Sequence, residues 1–323
     1  MARRQGAKNS RTGCTEDTSA TGLEAAQRQQ ELLSGVQRQL DKLGTGPLAG
    51  GLYIVSTPIG NLGDISIRAL FTLAAADMVV CEDTRHSRKL FSAYGIGRKL
   101  ETYHDFSGDR DRARILEALR EGKSVAVISD AGTPLLADPG FKLVRAAVSE
   151  GVSVFPVPGP SALLSALAAS GLPSDQFFFC GFLPPKETAR RETLETLRAV
   201  PGTLILYETP SRIEATLAVL SAIFPDRQVA FARELTKIHE EFARGTAETL
   251  LGKIKETPLL GEIVVLIGPG ETPPARDEDV EHALRTAMER VSLKEAVEEV
   301  ARGLGAGKKK VYNLALKLKG QSS

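Results

Sequence analysis

The sequence predicts an α/β protein with two α/β/α domains and a small helical module at the C-terminal end. The chain has 323 residues, of which 42% are hydrophobic, and this is enough apolar material for two domain cores. From Gly51 onward, short apolar runs of β-type residues alternate with segments of helical periodicity. Beyond Gly270, only helical patterns follow.

Residues 1–50 are predicted to form a flexible extension. This segment lacks the apolar core of a secretory signal, and its acidic residues Glu16, Asp17 and Glu24 do not fit a transit peptide. The alternative is that part of it forms an amphipathic helix, because five apolar residues fall at helical spacing. These residues are Leu32, Leu33, Val36, Leu40 and Leu43.

Residues 51–170 are predicted to form the first α/β domain. Four apolar runs in this region lack the in-out alternation of a half-exposed strand, which is typical of parallel strands covered by helices on both faces. The predicted strands are Leu52–Val55, Met78–Cys81, Val125–Ile128 and Val152–Val157. The segments between them are long enough for crossover helices.

Residues 171–270 are predicted to form the second α/β domain. Its strands are expected at Phe177–Cys180, Leu204–Tyr207, Val229–Ala232 and Ile263–Ile267, with helices near 186–199, 211–223 and 246–256. Ser211 and Glu214 have the spacing of a capping box and predict the start of the middle helix.

The C-terminal part is predicted to consist of a linker, residues 271–279, and a basic helical module, residues 280–323. Ser292 and Glu295 form a second capping-box pattern in the module. Residues 271–301 hold nine acidic and four basic residues, whereas residues 302–323 hold six basic and no acidic residues. This concentration of positive charge favours an RNA-binding role for the module, and the alternative is that the segment is a solubilising tail.

Three lysines, Lys308, Lys309 and Lys310, are predicted to begin the last helix of this module. Cations at a helix N-terminus oppose the helix dipole, at a cost of roughly 0.3–1 kcal/mol each, so this cluster favours an external anion such as RNA phosphate.

Composition excludes several classes of protein. The net charge of +1 gives no global signal for nucleic acid or membrane. The three cysteines, Cys14, Cys81 and Cys180, are widely spaced and contain no CxxC pair, which argues against a disulfide framework or a zinc site and favours the reducing cytoplasm. The uncharged run 151–174 is interrupted by Pro156, Pro158 and Pro160, so no membrane-spanning helix is predicted.

The loops that follow the predicted strands contain the candidate functional residues, because open α/β sheets bind ligands at the carboxyl ends of their strands. Residues 56–64 form a glycine-containing turn, for which a plain tight turn is the alternative. Residues 129–140 combine glycines with Asp130, a side chain able to accept hydrogen bonds from a ribose or an amino group. Asp138 and Pro139 in the same loop fit a helix cap and first helical position.

Five stretches in this order resemble the 16S rRNA 2'-O-ribose methyltransferase branch of the tetrapyrrole methylase superfamily. The resemblance runs from Gly51 to about Gly270 and includes 53–64 (YIVSTPIGNLGD), 81–86 (CEDTRH), 128–140 (ISDAGTPLLADPG), 181–186 (GFLPPK) and 232–237 (ARELTK). The resemblance implies a homodimeric enzyme that uses S-adenosylmethionine and requires no metal. The cofactor would lie in the cleft between the two α/β domains. The enzyme's partner would be 16S rRNA or the small ribosomal subunit, and its target the ribose 2'-hydroxyl of a cytidine in the decoding region.

The resemblance also implies roles for individual residues. The cofactor would contact Asp130, Gly132, Thr133, Leu136, Ser161, Ala162 and main chain near Tyr207. The substrate would contact the loop residues Pro58, Asn61 and Asp64, the basic residues Arg85, Lys186 and Arg212, and the cluster Lys308, Lys309 and Lys310.

The resemblance does not directly imply which residue is the general base. Members of this branch often carry a His-x-His-Asn run where residues 104–107 read His-Asp-Phe-Ser, and a histidine where Ser211 stands, so neither missing histidine is the base here. Glu234 and Lys237 are the candidates, as a carboxylate or a neutral amine. Arg233 and Arg212 are expected to orient phosphates, or alternatively to pair with Glu234 and Glu208.

Three functions are therefore compatible with the sequence. They are an RNA ribose methyltransferase, a methyltransferase of the same fold that acts on a tetrapyrrole, and a non-catalytic protein of rRNA binding or ribosome assembly. The basic C-terminal segment favours RNA over a tetrapyrrole, and the set of cofactor elements argues against a protein that only binds.

Overall fold

The computed structural model of the chain describes residues 17–43, 46–103, 109–137, 140–270 and 277–321. They divide into two compact units, Met1–Ser161 and Ala162–Ser323. Cys14, the run His104–Ser107 and the predicted cap Asp138–Pro139 lie outside the described residues. No helix among the described residues combines the length and apolar character that a membrane span requires.

The first unit contains a five-stranded parallel sheet with the strand order β3-β2-β4-β1-β5. The strands are β1 (Gly51–Val55), β2 (Met78–Cys81), β3 (Leu100–Thr102), β4 (Ser124–Ile128) and β5 (Val154–Val157). The helices are α1 (Asp17–Leu43), α2 (Ile67–Ala75), α3 (Thr84–Ala93), α4 (Asp109–Arg120) and α5 (Phe141–Ser149).

Both faces of this sheet are buried, as the apolar runs predict. Leu52 and Ile54 of β1 pack with α4 and α5 residues in one hydrophobic cluster. Tyr53 and Val55 point to the opposite face and pack with residues of α2 and α3. The two-residue period of the strand explains the division, because successive side chains point to opposite faces.

Helix α1 forms in the segment that the sequence predicts to be flexible, so the amphipathic-helix alternative describes residues 17–43. Only part of the predicted apolar face is covered. Leu32 and Leu33 are exposed, whereas Val36, Leu40 and Leu43 are half-buried.

The second unit contains a mixed sheet with the strand order β6-β7-β10-β8-β9. The strands are β6 (Phe177–Phe182), β7 (Thr203–Glu208), β8 (Gln228–Arg233), β9 (Glu241–Thr246) and β10 (Ile263–Ile267). The helices are α6 (Ala162–Ser170), α7 (Glu187–Thr196), α8 (Ile213–Ile223) and α9 (Ala247–Glu256). Strand β6 runs parallel to β7, but β10 is antiparallel to both of its neighbours, so a fully buried apolar run indicates burial and not strand direction.

The predicted capping box at Ser211 and Glu214 is wrong. Helix α8 begins at Ile213, its N-cap is Arg212, and no side-chain hydrogen bond caps it. The Ser211 hydroxyl instead lies 3.2 Å from the Thr209 hydroxyl.

Three helices form the C-terminal module: α10 (Asp277–Met288), α11 (Leu293–Gly303) and α12 (Lys308–Gln321). They share a hydrophobic cluster to which each helix contributes buried residues. The predicted capping box at the start of α11 is confirmed, because Ser292 and Glu295 exchange side-chain and main-chain hydrogen bonds in both directions.

Candidate active site

The β1 and β4 loops of the first unit are joined by main-chain hydrogen bonds. Thr57 N donates to Gly132 O at 2.8 Å, and Gly132 N donates to Thr57 O at 3.0 Å. The Thr57 hydroxyl also donates to the carbonyl of Ser129 at 3.3 Å. Gly132 has a φ of 80°, and a Cβ there would lie 3.3 Å from Ile59 Cγ2. Both the conformation and the close approach therefore favour glycine at this position.

The loop after β5 joins the same assembly. The Ser56 and Thr133 hydroxyls are 3.0 Å apart, and Thr133 Oγ1 lies 3.2 Å from the carbonyl of Pro160. A Cβ at Gly159 would lie 2.9 Å from Ser56 Cβ, which is too close without a shift of the backbone. Three strand-end loops thus hold each other in place and leave main chain, not bulky side chains, at this edge of the sheet.

Asp130 lies beside the loop that follows β2. Its Oδ1 accepts a hydrogen bond from the Asp83 N–H at 3.2 Å, and its Oδ2 lies 3.5 Å from His86 Nδ1. The strand order places β2 next to β4 and thereby brings together residues 47 positions apart in the sequence. The carboxylate of Asp130 is partly exposed and keeps capacity for further hydrogen bonds.

Arg85 pairs with Asp83, the N-cap residue of α3. Its Nη2 lies 2.6 Å from Asp83 Oδ2, and its Nε lies 3.1 Å from both carboxylate oxygens. These hydrogen bonds lower the pKa of Asp83 far below its usual range and raise that of Arg85. The Arg85 side chain is nevertheless 87% exposed, so this ion pair leaves it open to solvent.

Ser161 and Leu136 show two features that are typical of ligand-binding loops. The Ser161 residue is buried, and its hydroxyl has no hydrogen-bond partner among the described residues. Leu136 is exposed between Leu135 and Ala137, two non-glycine residues with φ values of 77° and 67°. Orphaned buried hydroxyls and left-handed non-glycine residues are uncommon and concentrate at functional sites.

The predicted substrate loop after β1 contains a short 3₁₀ helix, Leu62–Asp64. Asn61 Oδ1 accepts a hydrogen bond from the Gly63 N–H at 3.0 Å, so its carbonyl oxygen stabilises the turn. The Tyr94 hydroxyl donates to the carbonyl of Leu62 at 2.7 Å and attaches the loop to the end of α3. Asp64 is exposed, and Pro58 is half-buried.

In the second unit, Glu208 at the end of β7 is fully buried and hydrogen-bonded. It accepts hydrogen bonds from the Thr216 hydroxyl at 2.6 Å and the Thr209 N–H at 2.9 Å. Arg212 Nε lies 3.3 Å from Glu208 Oε1, and Arg212 Nη2 donates to the carbonyl of Leu183. Of the two roles considered for Arg212, a phosphate contact and an ion pair with Glu208, the structure contains the ion pair.

Two predicted site residues are close in sequence to members of this network. Tyr207 directly precedes Glu208, and Lys186 follows Leu183 by three residues. Tyr207 stands inside the sheet, opposite Phe182 on β6 and Val264 on β10, and its ring packs edge-on against Phe179 with centroids 4.9 Å apart. Lys186 is the exposed N-cap residue of α7. Ala162 is the first residue of α6.

Glu234, Lys237 and Glu262 form an ion-pair cluster after β8. Lys237 Nζ lies 2.9 Å from Glu234 Oε1 and 3.2 Å from Glu262 Oε2. Glu234 Oε1 also accepts the Glu262 N–H at 3.0 Å. Glu234 has a φ of 51°, and a Cβ at Gly261 would collide with its carboxylate. The turn thus holds this carboxylate in one position.

The ion-pair cluster also determines the charge states of its members. The hydrogen bond from Lys237 lowers the pKa of Glu234. Burial alone would lower the pKa of Lys237, but its hydrogen bonds to Glu234 and Glu262 outweigh that effect, and the pKa is raised. Lys237 is therefore protonated at neutral pH, which argues against the neutral-amine role considered from the sequence.

Arg233 pairs with Glu241 and not with Glu234. Its Nη2 lies 3.2 Å from Glu241 Oε2, across the β8–β9 pair in which these two residues are opposite each other. Strand β9 was not predicted, because its sequence, EFARGT, is polar and resembles a loop.

Two of the three C-terminal lysines have acidic partners within the module. Lys308 Nζ lies 2.7 Å from Glu298 Oε1, and Lys310 Nζ lies 2.5 Å from Asp277 Oδ1. Lys309 is exposed and takes part in no ion pair among the described residues. The predicted cost of three uncompensated cations at the start of α12 is therefore partly offset.

The Glu234–Lys237 pair predicts a pH-dependent contribution to stability. Because the pKa of Glu234 is lowered in the folded state, its contribution is present above the ordinary glutamate pKa of 4.5 and is lost as the pH falls through the folded-state pKa. We expect Glu234→Gln to reduce the free energy of unfolding at pH 7 by about 1 kcal/mol, and the difference to shrink in acid. Urea unfolding of the unmodified chain and of Glu234→Gln at pH 7 and pH 3 measures the difference in the free energy of unfolding. An equal difference at both pH values would contradict the stabilising role of the ionised Glu234.

No metal site is evident at these edges. Within the described ranges, no group of three or more histidine, cysteine, aspartate or glutamate side chains has a geometry suited to a metal ion.

Two family models match the chain. Residues 51–251 match the tetrapyrrole (corrin/porphyrin) methylases, and residues 274–319 match the RsmI C-terminal HTH domain. The second match coincides with the three-helix module α10–α12.

Curated relatives named ribosomal RNA small subunit methyltransferase I align with most of the chain. The protein from Mesorhizobium japonicum is 47% identical over 279 residues, which is 85% of this chain and 95% of that protein. The protein from Halalkalibacterium halodurans is 40% identical, over 82% and 94% of the two chains. The protein from Pseudomonas aeruginosa is 41% identical, over 85% and 99%.

Solved structures of lower identity share the fold. Cobalt precorrin-4 methyltransferase superposes with a TM-score of 0.51 at 20% identity, over 67% of this chain and 94% of the other. Diphthine synthase superposes with a TM-score of 0.52 at 17% identity, over 67% and 89%. Together with the family models and the curated relatives, these likenesses show that the chain is a methyltransferase of the tetrapyrrole methylase family, in the branch of the ribosomal RNA small subunit methyltransferases I.

Proposed function

We propose that the chain transfers a methyl group from S-adenosylmethionine to the ribose 2'-hydroxyl of a cytidine in the decoding region of 16S rRNA. The observation that carries the proposal is the alignment with relatives named ribosomal RNA small subunit methyltransferase I over more than four-fifths of the chain. A separate match of the C-terminal module supports the same branch. A cytoplasmic location and a homodimer, both implied by the resemblance, belong to this proposal.

The first-unit edge has features that fit a bound S-adenosylmethionine. The cofactor supplies a methyl group on a positively charged sulfur, which needs no further activation. Gly132 and Gly159 leave room where side chains would otherwise stand, and the unpartnered Ser161 hydroxyl is available to a polar ligand group. We propose that the cofactor also contacts Asp130, Thr133, Leu136, Ala162 and the main chain near Tyr207.

The RNA is proposed to contact exposed groups of both units. Asp64 and Asn61 are exposed on the β1 loop beside Pro58, and Arg85 and Lys186 present exposed cations. A guanidinium and an ammonium both suit phosphate oxygens. Arg212 is committed to Glu208 and to the carbonyl of Leu183, so we assign it the positioning of the loop that contains Lys186.

Glu234 is the residue we propose as the general base. Its carboxylate takes the proton that the target hydroxyl loses when the methyl group leaves the sulfur and bonds to the 2'-oxygen. The lowered pKa of Glu234 keeps the carboxylate ionised at neutral pH, and the strained turn fixes its direction. Lys237 orients this carboxylate as a protonated partner, and Arg233 is held by Glu241 on the neighbouring strand. Because the transferred methyl group is already activated, positioning accounts for much of the proposed catalysis.

The acceptor class can be tested by methyl transfer from radiolabelled S-adenosylmethionine to three acceptors. These are small ribosomal subunits from cells that lack the enzyme, protein-free 16S rRNA, and a tetrapyrrole such as uroporphyrinogen. We expect label in at least one RNA acceptor and none in the tetrapyrrole. Gly132→Val, which combines a strained φ with a contact against Ile59, controls for contaminating enzymes. Label in the tetrapyrrole alone would overturn the proposal.

A further inference from the structure

Helix α12 presents one exposed face of mixed basic and aromatic character. Its buried face is formed by Val311, Ala315 and Leu318, which pack against the other two helices of the module. At 100° per residue, the opposite face is centred on Lys309, Asn313 and Leu316, with Tyr312 and Lys317 beside them. All five residues are exposed, and Tyr312 and Leu316 retain 46% of their accessible surface.

The lysines of this helix have different environments. Lys308 and Lys310 lie at the borders of the buried face and reach Glu298 of α11 and Asp277 of α10. Lys309 and Lys317 are exposed, and neither takes part in an ion pair within the ranges that the structure describes. The positive charge available to an external anion is therefore on the exposed face, with Lys309 at its centre.

The order of the helices favours α12 as the contacting element. Helix α11 ends at Gly303, residues 304–307 form the turn, and α12 follows. In helix-turn-helix modules, the second helix of such a pair contacts the nucleic acid with its N-terminal residues. The first turns of α12 contain Lys309 and Tyr312.

We propose that the exposed face of α12, formed by Lys309, Tyr312, Asn313, Leu316 and Lys317, binds an unpaired segment of RNA. Lys309 and Lys317 contact phosphates, and the Tyr312 ring stacks on an unpaired base. The deep, narrow major groove of A-form RNA does not admit a helix, whereas unpaired bases stack readily on aromatic side chains. The inference rests on the proposed function, because it takes rRNA as the ligand.

The test is binding of the full-length chain to protein-free 16S rRNA and to small subunits, measured by filter retention at several salt concentrations. Tyr312→Ala is expected to weaken binding about 5- to 150-fold, and Tyr312→Phe to restore it. Lys309→Gln is expected to reduce the slope of log affinity against log salt by about 0.7, and the matched control Lys308→Gln to reduce it less. Because these positions are exposed, we expect the thermal unfolding of each variant to be unchanged. This measurement checks that each variant is folded.

The outcomes separate this inference from the proposed function. If the unmodified chain binds neither rRNA nor subunits, both are overturned. If it binds and methylates RNA but Tyr312→Ala and Lys309→Gln bind equally well, only the assignment of this face fails. If the variants lose binding to subunits but not to protein-free rRNA, the face contacts a ribosomal protein, and the RNA assignment is wrong.

Discussion

Replacing Glu208 with alanine is expected to lower the free energy of unfolding by about 3 kcal/mol or more. The side chain is fully buried, and the Thr216 hydroxyl and the Thr209 N–H donate hydrogen bonds to it. Its removal leaves these donors without an acceptor and leaves Arg212, whose side chain is only 25% exposed, without a counter-charge. Urea unfolding of the purified chain measures the loss.

A matched control lies on the surface of the same unit. Glu195 and Arg198 form an ion pair of 3.1 Å in which both side chains are about half exposed. Glu195→Ala is therefore expected to cost less than about 1 kcal/mol. Similar small effects of the two substitutions would mean that the Glu208 network does not stabilise the end of β7.

Replacing Asp130 with asparagine is expected to weaken the binding of S-adenosylmethionine by about 10- to 150-fold, the range for losing a hydrogen bond to a charged group. Asparagine keeps the shape of the side chain and an oxygen for the Asp83 N–H, so the substitution removes mainly the charge. Calorimetric titration with S-adenosylmethionine or S-adenosylhomocysteine measures the change.

The control for this variant is His86→Ala. His86 Nδ1 lies 3.5 Å from the same carboxylate, but its side chain is 59% exposed and has no proposed cofactor contact. We expect His86→Ala to bind the cofactor with nearly unchanged affinity. An Asp130→Asn variant with the affinity of the unmodified chain would remove Asp130 from the proposed cofactor site.

Much of the fold could be predicted because burial on both faces leaves a strong pattern in the sequence. Met78–Cys81 and Ile263–Ile267 are strands with the predicted bounds. Strands β3 and β9 escaped prediction because they are short or polar edge strands, with few apolar residues to produce a pattern. The antiparallel direction of β10 could not be predicted either, since burial is the same in both directions.

The candidate site was less predictable, because its contacts depend on strand order and helix packing. Asp130 meets Asp83 only because β4 lies beside β2. Arg233 pairs with Glu241 through a strand that the sequence did not reveal. The acidic partners of Lys308 and Lys310 come from two other helices of the module, so a run of three lysines does not show which one is available.

The most direct test of the proposed chemistry is to locate the transferred methyl group in the RNA. Small subunits from cells that lack the enzyme are incubated with the chain and labelled S-adenosylmethionine, and the rRNA is hydrolysed with alkali. A methyl group on the ribose 2'-oxygen blocks cleavage at that position, because the hydroxyl is the attacking group. We expect label in an alkali-resistant fragment that contains a cytidine of the decoding region. Label released with single nucleotides would place the methyl group on a base and contradict the proposed ribose methylation.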